Sequence, residues 1–141
     1  MRAIRIGFLF VATALPSVAL ATGNADCVID EPGLEFTFEA LYSYTSAAAL
    51  LQPRASLEFA DPKYSPKTWK LELDGSDLRQ QWRLANAFKI MLDTQFDGQD
   101  VTLEIQTTRV AEDSSDYEGR YKLAIGPGAF LREGRVTCSV G

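Results

Sequence analysis

Phe88-Lys89-Ile90-Met91-Leu92-Asp93-Thr94-Gln95-Phe96-Asp97-Gly98-Gln99-Asp100-Val101-Thr102-Leu103-Glu104-Ile105 decides the fold. Phe88, Ile90 and Leu92 alternate with Lys89, Met91 and Asp93, and the register extends to Phe96. Val101, Leu103 and Ile105 alternate with Thr102 and Glu104. A period of two puts apolar side chains on one face of an extended chain and polar ones on the other, as a half-buried antiparallel strand requires. Asp97-Gly98 sits between the two runs, and glycine there accepts the positive φ of a tight hairpin turn.

The same stretch carries a second pattern. Asp93, Gln95, Asp97, Gly98 and Glu104 stand at the first, third, fifth, sixth and twelfth places of a calcium loop of the EF-hand kind. Gln95 replaces the usual Asp or Asn, Asp100 replaces the usual aliphatic residue, and the segment that follows alternates like a strand. The hairpin explains both neighbouring runs without an ion. Calcium through Asp93, Gln95, Asp97 and Glu104 is therefore the subordinate expectation.

Outward from the hairpin the alternation recurs. It appears in Leu34-Phe36-Phe38, Leu57-Phe59, Trp69-Leu71-Leu73, Tyr121-Leu123-Ile125 and Val136-Cys138-Val140. Asp74-Gly75, Glu118-Gly119 and Gly126-Pro127-Gly128 are turn signals, and Asp61-Pro62 and Ser65-Pro66 mark a connection. The expectation is an all-β domain of about 7–8 antiparallel strands, a β-sandwich or a small β-barrel. One segment departs from it: Ser76 can cap a turn at Asp77, and Leu78, Trp82 and Ala85 fall at helical spacing, which predicts a short helix near residues 77–86. Glu112 to Glu118 reads as a solvated acidic loop, and Lys63 to Lys70 as a loop leading Trp69 into the core.

The chain has 141 residues and begins like a secretory signal. Arg2 and Arg5 precede an apolar run from Ile6 to Leu15, and Ala19-Leu20-Ala21 supplies a cleavage site. The expected division is a cleaved signal peptide over 1–21 and a single β domain over 22–141, exported to a periplasm or secreted. The apolar run is shorter than the roughly 20 residues that span a bilayer. In an oxidising compartment, Cys27 and Cys138 are expected to form one disulfide. Cys138 shares a face with Val136 and Val140, so that bond is expected in the core, between neighbouring or facing strands.

Composition restricts the chemistry. The formal charge is −5, and loss of Arg2 and Arg5 would take it to −7, which argues against nucleic acid or an anionic membrane as partner. The chain has no histidine, so a serine or cysteine nucleophile lacks its commonest base. Paired carboxylates are the remaining catalytic option, but on one strand Glu35 and Glu39 stand roughly 13 Å apart at ~3.3 Å per residue. The leading expectation is a non-catalytic module that binds a protein, a glycan or an envelope component, with Tyr42, Tyr44 and Tyr64 as candidate ligand contacts. The alternatives are a small hydrolase working through two acids and a β-barrel carrier of an apolar ligand.

Overall fold

A computed structural model of the chain describes residues 22–43, 50–128 and 130–141. The signal-peptide segment and Tyr44 lie outside the described residues. Nine strands follow one another: β1 (Thr22–Glu31), β2 (Leu34–Ser43), β3 (Leu50–Phe59), β4 (Trp69–Leu73), β5 (Leu78–Leu84), β6 (Ala87–Phe96), β7 (Gln99–Arg109), β8 (Asp116–Ile125) and β9 (Phe130–Val140). They form one antiparallel sheet in the order β4-β3-β2-β1-β9-β8-β7-β6-β5. Every neighbour is next in the chain except at β1–β9, where the first and last strands pair. The sheet curls, because rings from strands far apart in that order meet. Phe59 of β3 lies 4.9 Å from Phe130 of β9, and Trp69 of β4 lies 4.9 Å from Phe96 of β6, between ring centroids.

The expected alternation holds through the central hairpin. Phe88, Ile90, Leu92, Val101, Leu103 and Ile105 are buried. Asp97 and Gly98 turn the chain with φ of 50° and 74°, the left-handed pair that a two-residue hairpin uses. The inner face is filled by large side chains, with Tyr117, Tyr121, Phe36, Phe38 and Phe59 among the most enclosed. Phe59, Tyr64, Trp69 and Phe130 pack together at one end. At the other end the Arg83 guanidinium lies 4.6 Å from the centre of the Tyr42 ring.

The predicted helix is a strand, β5. Ser76 does not cap it: its backbone N–H and its hydroxyl both donate to Asp74 Oδ1 at 2.7 Å, closing the turn after β4. These bonds hold the Asp74 carboxyl below its ordinary value. Leu78 to Leu84 then pair with β6. A hydrogen-bonding edge on β6 outweighs a weak local helical preference. Trp82 faces out and is 38% exposed. The acidic stretch is also partly strand: Asp116 to Glu118 open β8, and Tyr117 is wholly buried.

The disulfide is formed where expected. Cys27 of β1 and Cys138 of β9 are directly opposed, with Cα atoms 4.0 Å apart, and both are buried. The β1–β9 ladder joins Ala25–Val28 to Thr137–Val140, and Asn24 and Gly141 exchange backbone hydrogen bonds at its end. Beyond its other end the strands part, and the Glu31 carboxylate bridges the gap. It accepts from Tyr121 Oη at 2.7 Å and from the Arg135 backbone N–H at 3.2 Å, and pairs with Arg132 at 3.4 Å.

Candidate functional site

With the inner face packed, the residues free to meet a ligand are on the outer face. Strand register places them in rows across the sheet. One row runs Trp82, Lys89, Gln106, Arg120, Arg135 over β5 to β9. Three of its five members are cations, in a chain whose net charge is negative. Arg120 and Arg135 are directly opposed, a like-charge arrangement that costs stability. Among the described residues neither has an ion-pair partner within 4.0 Å. The Lys89 ammonium sits 5.4 Å from the centre of the Trp82 ring, a cation–π contact at the end of the row.

The rows on either side each hold more acids than bases. One side has Met91, Glu104, Lys122 and Glu133, in which Lys122 faces a glutamate on each neighbouring strand. Gln106 Nε2 donates to Glu104. The other side has Ala87, Thr108, Glu118 and Thr137. Rows of one face are about 7 Å apart along a strand.

This surface is concave. An open groove of about 560 Å³ runs over β6 to β9, with Lys89, Gln106, Arg120 and Lys122 on its walls and Gly119 beneath. The backbone beneath is tight: a Cβ on Gly119 would overlap the Gln106 carbonyl oxygen and stand 2.7 Å from Thr107 Cα. Only glycine lets β7 and β8 come so close, and its missing side chain is on the inner face, in line with Tyr117 and Tyr121.

A second feature lies on the outer face of the other half. Arg54, Glu39, Asp26, Ser139 and Asp116 form one row over β3, β2, β1, β9 and β8. Asp26 and Glu39 are directly opposed, a spacing of about 5 Å between Cβ atoms. Burial, and then the facing Glu39, push the Asp26 carboxyl above the ordinary range. The pair lines an open groove of about 330 Å³ with Asn24, Gln52 and Arg54. Gln52 has φ of 51° beside a register shift between β2 and β3.

Protein-family models, curated proteins and solved structures offer no match to this chain. Its site is defined by its own geometry.

Of the candidate tyrosines, the two described ones, Tyr42 and Tyr64, do not share a surface. Tyr42 is buried, its ring lying over Gly23 on the facing strand. Tyr64 packs on the core between Phe59, Trp69 and Phe130. The calcium-loop residues are drawn out along the hairpin instead of gathered around a point. Asp93 faces Thr102 and accepts its hydroxyl at 3.0 Å, Gln95 faces Asp100, Asp97 is in the turn, and Glu104 faces Met91. Among the described residues no group of three or more acidic or cysteine side chains is placed to hold a metal. No helix there is long and apolar enough to cross a membrane. Lys89, Arg120, Arg135, Asp26 and Glu39 were not legible as sites, because each row depends on register. Lys89–Gln106 follows by counting back from the Asp97-Gly98 turn, and Asp26–Glu39 by counting back from Pro32-Gly33.

Proposed function

We propose that the protein is an exported, non-catalytic β module that binds an extended ligand, a glycan or a segment of an envelope component, along the groove over β6 to β9. The groove carries this reading: Lys89, Gln106 and Arg120 point into one outward concavity while the inner face is occupied by the protein's own aromatic and aliphatic side chains. A filled interior favours an outer-face ligand over an apolar one carried inside. The disulfide and the secretory pattern of residues 1–21 support an oxidising destination. The test is amide chemical-shift mapping of the oxidised protein against neutral and charged oligosaccharides and peptides. Shifts concentrated on Lys89, Gln106, Arg120 and Lys122 are expected. Shifts that leave these residues unmoved for every ligand would overturn the reading.

A second reading, a hydrolase using two acids, is favoured by Asp26 and Glu39. They are opposed in one groove, and the raised Asp26 carboxyl is the form a general acid needs. Release of reducing ends from a glycan, abolished by Asp26→Asn, would support it. Equal release by Asp26→Asn would remove the pair from consideration.

A further inference from the structure

We infer that the ligand of the β6–β9 groove is a linear anionic glycan, a polyol chain bearing carboxylates or sulfates along one edge. This rests on the groove being the binding site. The charge pattern decides the width of the partner. The cations Lys89, Arg120 and Arg135 form a single row; on one side Glu104 and Glu133 flank Lys122, and on the other stands Glu118. A duplex or an anionic membrane would cover all three rows and meet the glutamates along with the cations. A thin chain lying on the central row meets the cations first, because at physiological salt screening acts over about 8 Å, close to the row spacing.

The flanking glutamates also choose between a glycan and an acidic peptide. A carboxylate accepts hydrogen bonds and repels other carboxylates. Sugar hydroxyls supply donors to Glu104, Glu118 and Glu133 while the anionic groups reach the row of cations. An acidic peptide offers few such donors. An extended peptide would also seek a free sheet edge, and β6, β7, β8 and β9 are paired on both sides. Trp82 closes the row with a partly exposed ring, a flat apolar face for one sugar.

The test uses the oxidised protein and matched pairs of polymers: polygalacturonate with its methyl ester, and dextran sulfate with dextran. Polyglutamate is the acidic-peptide probe. Binding is measured by calorimetry at low and at physiological salt. At least one anionic glycan should bind at least about tenfold more tightly than its neutral partner, and weaken with salt. The pair that shows this difference identifies the anionic group. Arg120→Gln with Arg135→Gln should lose about tenfold, since charge-assisted bonds are the strong ones. Both side chains are exposed, so the fold should survive, and a melting temperature no lower than the parent's checks this. Arg54→Gln, on the other half of the sheet, should bind as the parent does. Neutral and anionic partners binding equally, with groove amides shifting, would overturn the anionic inference and leave the groove reading standing. Polyglutamate binding as tightly as either glycan would overturn the choice of a glycan. If no polymer shifts the groove amides, both readings fall.

Discussion

Asp26 shows how a single side chain can work against its own fold. Its carboxyl is half-buried and faces Glu39, and both act to raise its pKa. A raised carboxyl means that the folded protein holds the proton more tightly than the unfolded chain does. The cost of its charge is absent below the ordinary value of 3.8 and complete above the folded value. Asp26→Asn should therefore stabilise the protein at pH 7 by about 0.5 kcal/mol, solvent screening keeping the gain small. The gain should shrink as pH falls through the folded pKa, which urea unfolding at several pH values will show. Tyr121 titrates at the opposite extreme. Burial, and then its hydrogen bond to Glu31, push its hydroxyl up from 10.0 to about 12. The folded state thus keeps a proton that the unfolded chain releases, so stability should fall as pH rises from about 10 to about 12. Absorbance of tyrosinate at alkaline pH, compared with Tyr121→Phe, should show the late-titrating group disappear. The Asp26–Glu39 pairing depends on the hairpin turn at Pro32-Gly33, which no apolar alternation in β1 marks, and Glu31 stands 90 positions from Tyr121.

Among the elements, β8 is the most constrained by one residue. Gly119 lets the strand approach β7 so closely that an added methyl would overlap backbone atoms, which cannot rotate away. Gly119→Ala should cost about 1–3 kcal/mol, the usual penalty of forced overpacking, and should lower the melting temperature. It should also weaken any groove ligand, because β7 and β8 must separate under it. In the sequence this glycine read as a turn, and the structure places it mid-strand. The strands that were legible have large inward residues: Phe36 and Phe38 in β2, Ile90 and Leu92 in β6, Leu103 and Ile105 in β7. β1 was missed because its inward positions begin Gly23, Ala25, Cys27, too small to mark an apolar face. β5 resembles a helix in the sequence because Leu78, Trp82 and Ala85 also fit helical spacing. A register shift between Leu78 and Gln80 then leaves Leu78 against the core and Trp82 and Leu84 exposed, so no single apolar face marks the strand.

At the scale of the whole molecule, two meanders, β1 to β4 and β5 to β9, are joined at one ladder. That β1–β9 ladder has four residue pairs, continued by the Asn24–Gly141 backbone bonds, against ten between β1 and β2 and ten between β6 and β7. The disulfide stands inside it, and the Glu31 cluster holds the strands where the ladder stops. Replacing both cysteines, Cys27→Ser with Cys138→Ser, should cost about 2–4 kcal/mol, read from urea unfolding of the variant beside the oxidised parent. The sequence made the bond and its burial legible through the placement of Cys138 between Val136 and Val140. It could not show that the two cysteines occupy neighbouring strands, because no local pattern records which strands of a sheet are adjacent.

The order of the strands also has a consequence in time. Within each meander every pairing joins strands that are neighbours in the chain, so each can assemble by closing short loops. The β1–β9 ladder alone joins segments as far apart as the 111 residues between Cys27 and Cys138. Long-range pairing is the slow part of folding, since its loop entropy must be met before the contact forms. In the reduced chain, the meeting of β1 and β9 is thus the step that governs how fast the sheet is completed. A chain already oxidised carries that closure with it and reaches the folded sheet sooner.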